Sequence, residues 1–268
     1  MESSREMIFD KLVYSCIYET QRGTEEFYPD HFLGFQLAGE TQAFHEQGSI
    51  TIKENTVVLV RKNQLIRTIK YPSKSGNYKF IAITLDKETL QQYALENKIA
   101  IKERYNGKQK LFFEPNEFLH SYFMSLAPYI NKTKQATPKL ADLKIREAIE
   151  LLFDSNPDFK YILFDFSKPY AIDLEEFMTN NYMFNVPLET FAKLTGRSIS
   201  VFKRDFAKVF NCPPKQWIKD KRLEEAYHLI KYKKQKPTHF YLDLGFENLS
   251  HFYSSFKLKY GTTTSEIA

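Results

Sequence analysis

Ten residues of this chain recur, in pattern, fifty positions downstream. Phe202-Lys-Arg-Asp-Phe-Ala-Lys-Val-Phe-Asn aligns with Phe252-Tyr-Ser-Ser-Phe-Lys-Leu-Lys-Tyr-Gly, so Phe202, Phe206, Phe210 and Asn211 match Phe252, Phe256, Tyr260 and Gly261. Aromatic residues at i, i+4 and i+8 line one face of a helix, and that face has to be buried. Asn or Gly directly afterwards suits a left-handed C-terminal cap. Each of these helices follows a shorter one across a glycine-containing turn. The first pair is Leu188 to Leu194, then Thr195-Gly196-Arg197; the second is Pro237 to Leu244, then Gly245-Phe246-Glu247. Ser198 and Asn248 are the expected N-caps. The pattern predicts two helix-turn-helix units. Between them, Trp217/Ile218, Leu223, Ala226/Tyr227 and Ile230 recur at helical spacing from Pro214 onward. About 18 residues at 1.5 Å each make a rod of roughly 27 Å. That is near the roughly 34 Å between successive major grooves of a duplex. One chain can then read an asymmetric site of about two turns, with no palindrome.

The charge follows the repeat. Residues 1–186 carry a net −2 and residues 187–268 a net +7, which together give the +5 of the whole chain. A basic C-terminal third suggests a polyanion partner. A lysine-rich face that is merely solvated would give the same count.

The first hundred residues read differently. Gly34 to Gly39, Gly48 to Lys53, Thr56 to Arg61, Leu65 to Tyr71 and Tyr78 to Leu85 are short and β-rich, punctuated by Gly, Asn, Pro and Ser. This spacing predicts a small barrel or sandwich. Asp86 is the expected cap of a short helix. Two longer helices follow. One opens at Pro115 with Phe118, Leu119, Tyr122, Phe123, Leu126 and Ile130 in its stripe. The other runs from about Pro138 to Phe153 with Leu140, Leu143, Ala148, Ile149 and Leu152 on one side, after a polar connection at 132–138. Core packing explains such stripes; a dimer interface is the alternative. A break is expected at Ser167-Lys-Pro-Tyr. The predicted fold is α+β: a strand-rich domain over 1–108, a helical connector over 109–165, and an all-α domain over 166–268.

Several function classes find no support. Glycine numbers only 9, and neither phosphate-cradling glycine motif occurs. The two cysteines, Cys16 and Cys212, lie far apart, so a disulfide framework or cysteine-zinc site is not expected. The N-terminus lacks a secretory signal pattern, and no apolar run approaches a membrane span. A soluble cytoplasmic protein without membrane contact is expected. His31, His45 and His120 form no H-x-H pair, and no nucleophile motif occurs, so no metal, no cofactor and no catalytic residue is expected.

Residues 173–268 resemble the paired helix-turn-helix DNA-binding domain of the AraC family of bacterial transcription regulators. The resemblance rests on Ala192, Gly196, Ser198, Phe202, Arg204 and Phe206, on Arg222-Leu-Glu-Glu-Ala, and on Gly245-Phe246, Phe252 and Phe256-Lys257. Gly196-Arg-Ser-Ile-Ser-Val-Phe-Lys-Arg-Asp-Phe, with Asp173-Leu-Glu-Glu-Phe-Met before it, is similar to a subgroup with a cupin-like N-terminal domain. The chain departs from the family at Tyr241 (usually Ala), Pro237 (usually Ile), Thr264 (generally Pro) and Ser254 (usually Arg). These departures point the second helix-turn-helix toward phosphate contact more than base readout. The resemblance implies a regulator, with activation, RNA polymerase contact and a homodimer as its further implications.

With the phenylalanines inward, Ser200, Lys203 and Arg204 face outward on the first recognition helix. Leu249, Ser250, Tyr253 and Ser254 do so on the second. These are the candidate base-reading residues, Arg204 toward guanine O6 and N7 and Leu249 toward a thymine methyl. Arg197, Lys219, His251, Lys257 and Lys259 are the phosphate candidates. If the strand-rich domain senses a small molecule, Phe32, Phe35, Phe44, Tyr71 and Phe80 are candidates for its pocket, though core packing suits each singly. A protein partner is the competing role for that domain. A non-regulatory alternative is a metabolite- or sugar-binding cupin whose C-terminal helices serve protein–protein contacts.

Overall fold

Val57, Val58, Leu59 and Val60 are all buried, which a strand allows only when both its faces are covered. The computed structural model describes residues 4–9, 11–23, 25–45, 48–99, 112–113, 115–130, 137–166 and 173–268. The chain folds as two units, Met1–Ser167 and Lys168–Ala268. Strands of the first unit are β1 (Ser4–Phe9), β2 (Leu12–Ile17), β3 (Gln21–Arg22), β4 (Glu26–Tyr28), β5 (His31–Ala38) and β6 (Glu40–His45). They continue with β7 (Gly48–Ile52), β8 (Thr56–Val60), β9 (Gln64–Tyr71), β10 (Tyr78–Leu85) and β11 (Phe112–Phe113). Its helices are α1 (Lys87–Glu96), α2 (Glu117–Ile130), α3 (Pro138–Ser155) and α4 (Phe159–Leu163).

Among the described residues the strands form two antiparallel sheets. The larger has the order β1-β2-β10-β5-β8-β11; the smaller runs β3-β9-β6-β7, with β4 also on β9. Register explains the apolar run. Val57 lies opposite Phe35, and Leu59 opposite Leu33. Phe35 in turn lies opposite Ile81, and Leu33 opposite Ile83. These rows share one core with residues of α1 to α4. Val58 and Val60 point the other way and join Ala43, Ile52 and Ile66 of the smaller sheet. β8 is thus sandwiched between the helices and the second sheet.

Asp86 caps α1 as expected, accepting from the Thr89 N–H at 3.1 Å. The two long helices also form, and α2 and α3 bury Leu119, Tyr122, Phe123, Leu126, Ile145, Ala148, Ile149 and Leu152 in the first unit's core. Two stripe residues are corrected: Phe118 is 66% exposed and Leu143 is 53% exposed. Ile145 takes the inward position instead of Leu143 because Ala148, Ile149 and Leu152 fix the buried face one step round the helix. The connection at 132–136 and the break at 167–170 lie outside the described residues.

The five aromatic pocket candidates do not share one wall. Phe35 stacks on Phe123 at 4.9 Å, on the helix side. Phe32 and Phe80 pack between the sheets. A Cβ on Gly34 would lie 2.3 Å from the Phe80 ring, so that ring already fills its space. Phe44, opposite in direction to the inward Ala43, lies under the Arg67 guanidinium at 4.6 Å. The Tyr71 hydroxyl donates to Gln42 at 3.4 Å.

His31 is buried on β5, and its Nδ1 accepts from the Lys62 N–H at 3.2 Å. Burial, then the charges of Lys62 and Arg61, push its pKa down to about 3, against an opposing pull from Asp165. The imidazole is therefore neutral in the folded protein and takes up a proton on unfolding below about pH 6.5. Stability is unaffected by this group above that pH and falls as pH drops toward 3. Between pH 6 and 4 the slope from this residue is expected to approach about 1.4 kcal/mol per pH unit. Urea unfolding at several pH values checks it: His31→Gln should flatten the slope.

Among the described residues no helix is long and apolar enough to cross a membrane. No three His, Cys, Asp or Glu side chains among them converge as a metal site would require.

Candidate nucleic-acid interface

The second unit is all-α. Its described helices are α5 (Leu174–Asn181), α6 (Leu188–Leu194), α7 (Ile199–Phe210), α8 (Pro214–Lys231), α9 (Pro237–Phe240), α10 (Leu249–Tyr260) and α11 (Thr264–Ile267). Each long helix of the repeat is capped at both ends by corresponding residues. Ser198 accepts from the Val201 N–H at 3.3 Å, and Asn248 from the His251 N–H at 2.8 Å. At the C-termini, Asn211 and Gly261 are left-handed, at φ 54° and 68°. Ser198→Ala is expected to destabilise the unit by about 0.5–2 kcal/mol. Denaturant unfolding followed by Trp217 fluorescence measures this.

The turns match as well. The Gly196 N–H donates to Lys193 O and the Arg197 N–H to Ala192 O; the Gly245 N–H donates to Leu242 O and the Phe246 N–H to Tyr241 O. Both are Schellman turns, with the glycine supplying positive φ. From glycine to N-cap, however, the second turn is one residue longer, Gly245 to Asn248 against Gly196 to Ser198. The inserted position lets Phe246 bury itself against Phe252 at 5.1 Å. The leading helix is correspondingly short, since α9 ends at Phe240 where Pro237 to Leu244 was expected.

The inward faces are aromatic. Phe206 touches Phe202 at 5.6 Å and Phe210 at 4.4 Å, and Trp217 of α8 closes on Phe210 at 4.5 Å. In the second helix-turn-helix Tyr227 of α8 takes the place of Trp217, at 4.8 Å from Tyr260. Trp217, half-buried, thus packs on the aromatic face of the first helix-turn-helix. With that face buried, the geometry leaves Ser200, Lys203 and Arg204 exposed on α7. On α10, Ser250, Tyr253 and Ser254 are exposed and Leu249 is half-buried.

The two outer faces differ in chemistry. Arg204 has a side chain 63% exposed, with Nε and Nη2 both 3.2 Å from Asp205 Oδ1. Partial desolvation pushes the Asp205 carboxyl up, but bonds from Arg204 and Arg197 outweigh it and hold the group below the usual carboxylate range. On α10 the corresponding positions are uncharged, and the Ser254 hydroxyl donates to Ser250 O at 2.9 Å.

The phosphate candidates divide. Lys219 and His251 line one notch of about 510 Å³, together with the base-reading candidate Lys203 and with Lys215, Arg222, Glu189 and Glu247. Side chains from both recognition helices therefore open on a single concavity. Lys215, at the start of α8, was not singled out by the sequence; only the regional charge excess hinted at it. Lys257 is exposed on α10. Two candidates are redirected. Arg197 is only 15% exposed, donating to Thr195 O at 3.0 Å and to Asp205 at 3.3 Å. Lys259 donates to Asp220 O at 2.8 Å and pairs with Glu224 at 3.3 Å, tying α10 to α8. Both cations are mostly buried and find carbonyl and carboxylate partners within the fold.

Comparison with known proteins matches both units. A helix-turn-helix domain model matches residues 191–268. An ExsA N-terminal regulatory domain model matches residues 31–162. The HTH-type transcriptional regulator ExsA of Pseudomonas aeruginosa is 28% identical over 130 residues, 48% of this chain and 47% of ExsA. The virulence regulon transcriptional activator VirF of Yersinia enterocolitica is 30% identical over 93 residues, 35% of this chain and 34% of VirF. The match thus spans about half the length of ExsA and a third of VirF. Among solved structures, an apo ToxT variant from Vibrio cholerae strain SCE256 covers 96% of this chain and 97% of its own at 14% identity, with a TM-score of 0.45. Matched in its strand-rich unit by the ExsA regulatory-domain model and in its helical unit by the helix-turn-helix domain model, the chain is similar in both parts to transcriptional regulators of the ExsA and VirF kind.

Proposed function

We propose that the chain is a sequence-specific, double-stranded DNA-binding transcriptional regulator, acting as an activator, that reads two successive major grooves with its two helix-turn-helix units. The observation that carries this reading is the pair of capped, aromatic-backed helices α7 and α10, whose residues Lys203 and His251 open on one basic notch. Arg204 and Lys203 supply charged donors to base edges in the first groove. Ser200 joins them, and Leu249, Ser250, Tyr253 and Ser254 give the second groove a neutral, weaker reader. Lys219, His251 and Lys257 hold phosphates, as does Lys215.

Activation, which the name of VirF supports by analogy, entails contact with RNA polymerase. The first unit acts as the regulatory module through a protein partner or a homodimer, in place of catalysis. The exposed Phe118 and Leu143 on α2 and α3 support an interaction role. The cytoplasm is where such a regulator meets its DNA.

Selection of bound sites from random duplex DNA tests the reading. A bipartite site with half-sites about one helical turn apart is the expected outcome. Enrichment of no sequence would overturn it. A second test separates positioning from reading: Lys219→Ala should weaken binding to selected and random duplexes equally, and reduce the slope of log K against log salt by about one.

A further inference from the structure

Two recognition helices on one chain gain from each other only if the link between them is stiff. The effective concentration of the second unit at its half-site depends on how well the protein holds the span. In this chain both units are joined to α8, and a single side chain near the middle of that helix reaches both. Arg222 Nε donates to Tyr182 O at 3.0 Å, Nη2 to Phe184 O at 2.9 Å and Nη1 to Gly245 O at 2.8 Å. Tyr182 and Phe184 precede the first helix-turn-helix, and Gly245 is the turn of the second. Tyr182 is also the C-cap of α5, where a cation complements the outward carbonyls.

The geometry is specific to arginine and to glycine. A guanidinium presents its N–H donors in a planar fork, so three carbonyls in three directions are met by one rigid group. An ammonium on a shorter reach cannot hold all three. At Gly245, a Cβ would lie 2.5 Å from Arg222 Cζ, 2.6 Å from Nη2 and 2.7 Å from Met183 O. The absent side chain at 245 therefore serves both the positive φ of the turn, 80°, and the seat of the guanidinium. A further polar tie between these segments is slight: the Asn185 amide donates to Glu247 at 3.4 Å on the surface.

We infer that Arg222 is a positioning residue: by clamping the segment before the first helix-turn-helix to the turn of the second, it fixes the span between the recognition helices and so the half-site spacing the chain accepts. The inference rests on the DNA-binding reading for its functional half only, because the span is a property of the free protein.

The test has two arms on the full-length chain. Nitroxide labels at Lys208→Cys and Leu258→Cys, in a Cys16→Ser, Cys212→Ser background, report the distance between α7 and α10 by pulsed electron resonance. One narrow distance is expected, and Arg222→Lys should broaden or shift it. In the second arm, the bipartite duplex is offered at its selected spacing and with one base pair added. The parent should lose roughly tenfold or more in affinity on the insertion, and Arg222→Lys should respond by less than about twofold while binding the isolated first half-site as the parent does. Should Arg222→Lys fail to fold, Gly245→Ala displaces the guanidinium without removing its charge and is held to the same criteria. A variant that keeps both the narrow distance and the spacing preference overturns the role of Arg222. A parent that binds no duplex preferentially overturns the DNA-binding reading instead, and the distance arm still decides the clamp.

Discussion

Phe252→Ala is expected to lower the unfolding free energy of the helical unit by about 3–5 kcal/mol. The ring is fully buried and faces Phe246 at 5.1 Å, Phe256 at 5.8 Å and Phe240 at 6.1 Å. Removing it forfeits both the transfer term and the contacts of several aromatic neighbours that cannot collapse into the void. Its repeat partner Phe202 is equally buried and should show a loss in the same range. Trp217 is the sole tryptophan and lies in this unit, so its fluorescence follows the transition. Tyr253→Ala, one position along and 40% exposed, is the control, with an expected change within about 0.5 kcal/mol. A small effect at Phe252 would mean that the repeat does not mark the core.

Arg204→Ala is expected to weaken binding to the selected site by about 1–3 kcal/mol, roughly 5- to 150-fold, and to relax discrimination at one base pair. In the free protein Asp205 holds the Arg204 guanidinium, and Arg197 in turn anchors Asp205. The guanidinium is thus held at the exposed rim of α7 by a solvent-accessible pair, which costs little to exchange for a guanine. Fluorescence anisotropy against the selected site and its single-base variants measures both effects. Equal losses on selected and random duplexes would assign Arg204 to phosphate.

The repeat was legible because its signals are local. Caps at Ser198 and Asn248, left-handed residues at Asn211 and Gly261, and a four-residue aromatic spacing each act within one helix. The first unit was legible where strands carry apolar runs, as in β8. It was not legible at β6, whose Glu40-Thr-Gln-Ala-Phe-His reads as polar because only alternate residues face inward. Which cations stay free was also hidden. Lys259 and Lys257 look equivalent in sequence, yet Lys259 meets Asp220 and Glu224 on a helix 35 or more residues away. The Arg222 clamp left no sequence trace beyond the arginine and Gly245, because its three partners are backbone carbonyls.

The central claim is that the paired units recognise duplex DNA by sequence. Affinity for a site selected from random DNA and for a scrambled duplex, measured across a salt series, addresses it most directly. The selected site should bind at least about 10³-fold tighter than the scrambled one, with log K falling linearly against log salt for both. Equal affinity for the two duplexes, or no binding to either at low salt, would contradict it.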